Sequence, residues 1–330
     1  MSAPDDRPLW AMTQAALHLP AMMTALRRGL LEALGRESRS IADLARRTAT
    51  SERGTGILLR FLQSAGFARI EGELASLTPV ARTYLLRDSD AYWGGMFERL
   101  GSIDLTVERL ERACADAGSD LWAEHAVEPS LARSFAEGAH CRARYASQRL
   151  AREPFLDGVA SLLDVGGGKG TYAVEFASLR PALRVTLLDF APACQLANEW
   201  IESAGVASRV HTAALDMFED PWPEPQDAVW FSDIFHDWPY ERCLELARSA
   251  FRSLRPGGRL FINEVLLDAN RGGPALATSY DLAMLLATSA GQQWCLRELE
   301  GLLARAGFAE VALAARAGAY TVVSATKPGA

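Results

Sequence analysis

The stretch Leu162-Leu163-Asp164-Val165-Gly166-Gly167-Gly168-Lys169-Gly170 decides the fold, because an apolar strand runs straight into a glycine-rich loop. A helix is predicted over residues 171–179, and a second apolar strand at 185–188 ends in Asp189. This order is typical of the first half of a doubly wound nucleotide-binding sheet, where glycine lets a ligand approach the backbone closely. Asp189 is placed to accept hydrogen bonds from ribose hydroxyls, although acids at strand ends also cap helices.

Strands and helices continue to alternate after this loop. Further strands are predicted at residues 209–214, 227–233 and 259–264, with a closing pair at 308–315 and 320–326. This alternation predicts an α/β fold whose parallel sheet is covered by helices on both faces and binds ligands at the carboxyl ends of its strands. The Gly-x-Gly-x-Gly spacing does not meet the Gly-x-Gly-x-x-Gly fingerprint of dinucleotide-binding proteins.

The N-terminal third of the chain has mostly helical patterns. Residues 11–34 are apolar at helical spacing, with a break or kink expected at Pro20. A helix capped by Ser40, a second helix at 52–64 and a hairpin within 66–77 follow, which is the order of a winged helix. The second helix offers only Arg53 and Arg60 for DNA, so a dimerisation role is favoured.

Composition and charge limit the possible partners. The net charge of −7 and the pI near 5.4 argue against binding to a nucleic-acid backbone. There is no apolar run long enough for a membrane span and no basic-then-apolar leader, which predicts a cytoplasmic protein without a membrane partner. The five cysteines are scattered and never spaced as Cys-x-x-Cys, so neither structural zinc nor a disulfide framework is expected.

Acids recur at strand ends, with Asp164 in the first strand, Asp189 after the second and Asp216 after the third. Because the carboxyl ends of parallel strands meet at one edge of the sheet, these acids should share one rim. Asp216 and Met217 together suit an adenine, to which they would present one polar and one apolar contact. The alternative for Asp216 is a helix cap.

A histidine follows the fourth strand, within Ile234-Phe235-His236-Asp237-Trp238-Pro239. An imidazole has an unperturbed pKa near neutrality, which suits a general base. A phenol, with a pKa of about 10, needs such a base when its oxygen attacks an electrophile. Glu264, at the end of the fifth strand, is placed to orient the imidazole. The alternatives are a structural role for His236 and a helix-start cap for Asp237.

These motifs together resemble the small-molecule O-methyltransferases that use S-adenosylmethionine, the plant-type enzymes and their bacterial relatives of natural-product pathways. The matching features are the glycine loop, Asp189, Asp216-Met217-Phe218, His236-Asp237-Trp238 and Arg255-Pro256-Gly257-Gly258. The resemblance covers nearly the whole chain. It implies a class I methyltransferase sheet of Rossmann-like form, preceded by a mostly α winged-helix dimerisation domain, and a homodimer acting on a small aromatic or polyketide-like metabolite.

The resemblance also implies domain boundaries and site residues. A dimerisation domain is expected at 1–105, helices that contribute to the substrate pocket at 106–155, and the catalytic domain at 156–330. The expected catalytic residues are His236 as base, with Glu264 and Asp237. The expected cofactor-binding residues are Asp164, Gly166, Gly168, Asp189, Asp216, Met217, Phe218 and Ser232. The expected substrate-binding residues are Phe135, His140, Tyr145, Met284, Gln293 and Trp294.

One departure from the family pattern concerns Gln293, which stands where these enzymes usually have a second glutamate. A neutral amide stabilises a protonated imidazole less than a carboxylate does, so methylation of carbon or nitrogen on the same scaffold remains an alternative. Two further alternatives are a nicotinamide-dependent oxidoreductase, which shares the sheet, and a ligand-sensing winged-helix regulator.

Overall fold

The computed structural model of the chain describes residues 4–101, 105–115 and 129–329. The chain divides into two compact units, Met1–Ile103 and Asp104–Ala330. Each unit has a hydrophobic core made from its own side chains.

The first unit is mainly helical. Its helices are α1 (Arg7–Arg27), α2 (Leu30–Leu34), α3 (Ile41–Thr48), α4 (Glu52–Ser64), α5 (Pro79–Tyr84) and α6 (Gly94–Leu100). Its strands β1 (Arg39–Ser40), β2 (Ala68–Glu71) and β3 (Leu74–Leu77) form an antiparallel sheet in the order β1-β3-β2. The Ser40 hydroxyl accepts a hydrogen bond from the amide of Asp43 at 3.2 Å and caps α3, as predicted.

The predicted break at Pro20 is wrong. Helix α1 continues through Pro20 to Arg27, and the helical path is interrupted at Gly29, where φ is +69°. Pro20 and Ala16 are both exposed, so the carbonyl that proline leaves without an amide partner can hydrogen-bond to water. Glycine, which adopts positive φ without strain, therefore decides where this helix ends.

The second unit alternates strands and helices. Its strands are β4 (Ser161–Val165), β5 (Arg184–Asp189), β6 (Val210–Ala214), β7 (Gln226–Ser232), β8 (Leu254–Glu264), β9 (Ala309–Ala317) and β10 (Tyr320–Thr326). Its helices are α7 (Val107–Ala115), α8 (Pro129–Leu150), α9 (Thr171–Leu179), α10 (Ala191–Ser203), α11 (Tyr240–Ser253), α12 (Ala275–Ala287) and α13 (Leu296–Arg305). In the described part of the chain, no helix is both long and apolar enough to cross a membrane.

The strands of the second unit form one sheet in the order β6-β5-β4-β7-β8-β10-β9. Strands β4 to β8 are parallel, whereas β10 pairs antiparallel with β8 and β9. The predicted α/β doubly wound sheet is confirmed. The strand order reverses between β4 and β7, and a crevice for a ligand opens at such a reversal.

Strand β8 begins earlier than the sequence predicts. The strand was expected from Arg259, but Leu254 already pairs with Gln226 of β7. The ladder then shifts its register so that Arg259 pairs with Ala228, and the intervening residues 255–258 form a bulge. The Pro-Gly-Gly run therefore interrupts a strand, while α11 has already ended at Ser253.

Candidate active site

A cavity opens inside the second unit at the carboxyl ends of β4, β5 and β7. Its wall includes Phe135, Ala139, His140, Arg142, Asp164, Gly166, Gly168, Tyr172, Asp189, Met217, Ser232, Asp233, Asp237 and Trp238. We call the part around Asp164, Gly166, Gly168 and Asp189 the glycine-loop end. We call the part around Asp233 and Asp237 the triad end, because a buried group of three side chains lies there.

The glycine loop approaches the cavity closely because side chains would not fit within it. At Gly166, where φ is +68°, a Cβ would lie 2.3 Å from Ile234 Cδ1. At Gly167, a Cβ would lie 2.5 Å from Leu187 Cγ. The Gly166 amide donates to the Leu188 carbonyl at 2.8 Å and holds the loop against β5. The loop is therefore a backbone cradle that any larger residue at these positions would displace.

The Asp189 carboxylate joins the glycine loop to the start of α10. Its Oδ2 accepts a hydrogen bond from the Gly168 amide at 2.8 Å, and its Oδ1 accepts one from the Phe190 amide at 2.7 Å. Burial raises the pKa of Asp189 to about 6, and the two amides partly oppose this rise. Asp189 does not cap the first turn of α10, because the N-cap residue is Phe190.

Asp164 lies buried beside Asp189. Burial raises the pKa of Asp164 to about 7, and the charge of Asp189 adds to the rise. Two buried carboxylates disfavour each other's ionisation, and a cation bound between them would relieve this. The glycine-loop end thus fits a positively charged ligand.

Of the predicted site residues that follow strand β6, one lines the cavity and the others lie outside it. Met217 lines the cavity. The Asp216 carboxylate instead accepts a hydrogen bond from the Phe218 amide at 2.8 Å within a local turn. No helix lies between β6 and β7, so the alternative of a helix cap is also wrong. The Phe218 ring packs edge-on against Trp238 at a centroid distance of 4.7 Å. The structure therefore brings neither the Asp216 carboxylate nor the Phe218 ring into the cavity wall.

Three side chains at the triad end, His236, Asp237 and Glu264, form one buried group that we call the triad. His236 Nδ1 donates to Glu264 Oε2 at 2.7 Å, and His236 Nε2 lies 3.4 Å from Asp237 Oδ1. Glu264 Oε1 accepts the amide of Phe235 at 3.0 Å. The predicted partnership of His236 with Glu264 is thus present, and Asp237 contacts the ring rather than capping α11, whose N-cap is Pro239.

The pKa values of the triad are displaced in ways that its neighbours explain. Burial alone lowers the pKa of His236, but the charges of Glu264, Asp237 and Asp233 outweigh it and raise that pKa to about 10. Burial raises the pKa of Asp237 to about 7, with His236 opposing the rise and Glu264 adding to it. Relative to their ordinary behaviour, both His236 and Asp237 therefore hold a proton more readily.

A polar network supports the triad end. Asp233 Oδ2 accepts hydrogen bonds from Arg142 Nη2 at 3.0 Å and from the Tyr320 hydroxyl at 2.8 Å. Asp233 Oδ1 is buried without a partner among the described residues, and the backbone of Asp233 has a φ of +56°. Ser232, a predicted cofactor residue, lines the cavity and accepts a hydrogen bond from Asn263 at 3.0 Å.

Two of the predicted substrate residues line the cavity, Phe135 and His140. His140 lies at the glycine-loop end, where its Nδ1 shares a hydrogen bond of 2.7 Å with the Thr171 hydroxyl. Burial lowers the pKa of His140 to about 3, and the charges of Lys169 and Arg144 lower it further. His140 is therefore a neutral residue beside the loop.

The other predicted substrate residues do not line this cavity. Tyr145 is 46% exposed, which removes it from any enclosed pocket. Trp294 is packed in the core, and its indole nitrogen donates to the Phe235 carbonyl at 2.9 Å. Gln293 is fully buried, and its amide oxygen and nitrogen have no partner among the described residues. Met284 is partly buried on α12 and is absent from the cavity wall.

Sequence reasoning missed two polar residues of the wall, Arg142 and Asp233, and Tyr320, whose hydroxyl donates to Asp233. Arg142 lies in the middle of an amphipathic helix, where an arginine usually indicates a solvent-exposed face. Asp233 did offer a signal, since it is a further acid at the end of a strand, at the rim where ligands bind. Tyr320 begins the last strand, and nothing local marks it as a partner of Asp233.

A protein-family model described as the O-methyltransferase domain matches residues 110–309. The chain is also 31% identical, over 316 residues, to a 3-hydroxy-5-methyl-1-naphthoate 3-O-methyltransferase from Streptomyces sahachiroi. This match covers 93% of the chain and 91% of the relative.

Solved structures agree with the sequence matches. A putative O-methyltransferase from Nostoc punctiforme superposes with a TM-score of 0.85 at 25% identity, covering 98% of this chain and 100% of that one. Human N-acetylserotonin methyltransferase in complex with S-adenosylmethionine superposes with a TM-score of 0.83 at 23% identity, covering 99% and 100%. At this last identity the likeness shows the shared fold.

Proposed function

The chain belongs to the O-methyltransferases that use S-adenosylmethionine, and from that premise we propose that it methylates a hydroxyl group of a small aromatic metabolite. The observation that carries this proposal is the triad, whose Asp237 forms part of the cavity wall while His236 and Glu264 lie behind it. Family membership argues against the oxidoreductase and regulator alternatives.

Residues of the glycine-loop end would hold the cofactor. When bound, S-adenosylmethionine supplies a methyl group on a positively charged sulfur. The raised pKa values of Asp164 and Asp189 fit this charge, since a nearby cation favours the ionised carboxylates. We assign the loop backbone at Gly166 and Gly168 to the methionine part, Asp189 to the ribose and Met217 to the adenine.

The triad end would handle the proton and the acceptor. Phe135, Tyr172 and Trp238 give this cavity an aromatic wall, which suits a flat aromatic acceptor. Holding the hydroxyl in line with the methyl group can contribute on the order of 7–11 kcal/mol in well-oriented systems. The triad receives the hydroxyl proton, the task that the sequence assigned to His236.

The test is an assay with 3-hydroxy-5-methyl-1-naphthoate, the compound named for the Streptomyces relative. Mass spectrometry with fragmentation should show one added methyl group on oxygen, and 3-methoxy-5-methyl-1-naphthoate should remain unchanged. A broader panel of phenols and hydroxylated polyketides follows if this probe is poor. Methyl transfer to carbon or nitrogen, or to none of the panel, would refute O-methylation.

We further propose that the first unit, with predicted bounds 1–105 and a winged-helix order, forms a homodimer. Large apolar side chains are exposed along α1, including Leu9 (70%), Trp10 (67%), Met12 (74%) and Leu17 (67%). Other apolar residues of this segment, Met22, Met23 and Leu30, are buried in the unit's own core. Light scattering should give a dimer, and W10D/L17D should give a monomer. A wild-type monomer at micromolar concentration would contradict the proposal.

A further inference from the structure

Residues 291–294, between α12 and α13, contact the backbone of the triad, and we call them the supporting segment. The Trp294 indole nitrogen donates to the Phe235 carbonyl at 2.9 Å. A Cβ at Gly291 would lie 2.4 Å from the His236 carbonyl oxygen, so glycine lets the two backbones lie this close. The supporting segment therefore fixes the backbone that presents the triad to the cavity.

A side chain on another loop holds the supporting segment in place. Arg271, between β8 and α12, donates from Nη2 to the Gln293 carbonyl at 3.2 Å. Its Nη1 donates to Glu298 Oε1 at 2.5 Å, and its Nη2 lies 3.7 Å from Asp281 Oδ2. Asp281 Oδ1 in turn accepts the Gln293 amide at 2.7 Å. One ion cluster thus binds both polar groups of the Gln293 backbone.

The backbone conformation of Arg271 is a second, independent observation. Its φ is +60°, in the left-handed region that glycine adopts without strain and that disfavours arginine. Such strain persists only where the surrounding contacts outweigh it. The contacts that only the arginine side chain makes at this position are those to the Gln293 carbonyl and to the two carboxylates.

We infer that Arg271 is a positioning residue for methyl transfer, which holds the supporting segment so that the triad keeps its place beside the cavity. This inference rests on the proposed function. Arg271 does not belong to the described cavity wall, so its effect passes through the supporting segment. A displacement of about 1 Å at the reacting groups can cost about a hundredfold in rate, even when the change lies far from the chemistry.

The first experiment compares single-turnover rates of the wild type, R271M and R271K with S-adenosylmethionine and 3-hydroxy-5-methyl-1-naphthoate. R271M should lose about ten- to a hundredfold in rate. Its affinity for S-adenosylmethionine, measured by calorimetry, should be unchanged, because the glycine-loop end does not depend on the supporting segment. R271K keeps the charge but not the forked geometry of the guanidinium, so its rate should lie between the two. An unchanged rate in R271M would overturn the inference.

Two further variants separate positioning from stability. R271G relieves the backbone strain but removes the side chain, so it should unfold no more readily than R271M and still be slow. R255M is the matched control. It breaks an ion pair of 2.9 Å with Asp227 at the start of β7, the end of that strand away from the triad, and should keep the wild-type rate. A wild-type rate in R271G, or equal losses of rate in R255M and R271M, would overturn the inference.

A double variant tests the route through Trp294. Trp294→Phe removes the indole donor to the Phe235 carbonyl and keeps an aromatic ring. R271M/W294F should be no slower than the slower single variant, because both changes loosen the same contact. Losses that multiply would show that Arg271 and Trp294 act independently and would overturn the inference.

The last experiment requires neither acceptor nor turnover. In protein labelled with 15N-tryptophan, W294F identifies the Trp294 indole signal, whose hydrogen exchange should be faster in R271M and unchanged in R255M. The Trp222 indole, which donates to the Met217 carbonyl at 2.9 Å, is the internal control and should exchange alike in all variants. Unchanged exchange at Trp294 in R271M would overturn the inference. A wild type that methylates no hydroxyl acceptor, with exchange at Trp294 responding as expected, would instead refute the proposed function and support the link between Arg271 and the triad.

Discussion

The two ends of the cavity use buried charge in opposite ways. At the glycine-loop end, Asp189 is held by the backbone amides of Gly168 and Phe190. At the triad end, side chains hold side chains, as in the pairs of His236 with Glu264 and Arg142 with Asp233. At the glycine-loop end the carboxylates remain available to a cationic ligand. At the triad end the side chains of His236 and Arg142 supply the positive charge.

One histidine at each end shows what this difference does. His140 and His236 are both buried, at 8% and 4% exposure. The pKa of His140 falls to about 3 because the cations Lys169 and Arg144 add to the effect of burial. The pKa of His236 rises to about 10 because carboxylates outweigh burial. Burial therefore lowers the pKa of both rings, and the sign of the neighbouring charge decides whether that effect is reinforced, as at His140, or overturned, as at His236.

The largest effect is expected from breaking the side-chain pairing at the triad end. Arg142→Met leaves the Asp233 carboxylate with only the Tyr320 hydroxyl, and removing one partner of a buried ion pair costs about 3 kcal/mol. Denaturant unfolding should show this loss. R142M/D233N should recover part of it, and a double variant as unstable as the single one would show that the two charges do not depend on each other.

At the glycine-loop end, Asp189→Ala should weaken binding of S-adenosylmethionine by roughly 1.5–3 kcal/mol, because a charged hydrogen-bond acceptor is lost. Calorimetry measures this change. Asp216→Ala is the matched control, since that carboxylate is engaged in a local turn and should matter much less. Equal effects of the two variants would remove Asp189 from its assigned role.

A change in pH should alter the affinity for the cationic cofactor more than the affinity for its product, S-adenosylhomocysteine. Asp164 and Asp189 bind a proton with pKa values of about 7 and 6, so both lose their charge as pH falls. Lowering the pH from 8 to 6 should weaken the binding of S-adenosylmethionine by about tenfold, equivalent to about 1.4 kcal/mol. S-adenosylhomocysteine, which lacks the sulfonium charge, should weaken less. Parallel curves for the two ligands would contradict this electrostatic account.

The smallest effect concerns Gln293, whose buried amide has no partner among the described residues. Gln293→Leu should stabilise the protein by about 1 kcal/mol, because it replaces an unsatisfied amide with an apolar group of similar size. Thermal unfolding measures the change, with Gln293→Glu as the destabilising counterpart. A less stable Q293L would show that the amide has a partner, such as a buried water molecule.

The glycine-loop end could be predicted from the sequence because its order is local. A strand, a loop, a helix and a second strand bring Gly166 and Asp189 together within one continuous stretch. His236 and Glu264 were also predictable, because His236 follows β7 closely and Glu264 ends β8, the adjacent parallel strand. Contacts between strand ends at the same edge of the sheet are the most distant contacts that the sequence pattern predicts here.

The other polar residues of the triad end could not be predicted, because they lie on elements that are far apart in the sequence. Arg142, Asp233 and Tyr320 come from α8, the end of β7 and the start of β10, and only tertiary packing joins them. Tyr145 and Trp294 were predicted to line the pocket, but the structure places both outside the cavity wall. Their types suit a pocket, but the directions of their side chains depend on packing that sequence spacing does not fix.

The backbone of Asp233 has an evolutionary consequence. Its φ of +56° is strained for most side chains, and aspartate, asparagine and glycine tolerate it best. Selection for stability alone would favour glycine there, whereas keeping a counterion for Arg142 requires the acid. Few substitutions are therefore open to descendants of this chain at position 233. A lineage that replaces Asp233 by glycine should also have replaced Arg142, so the two positions should change together.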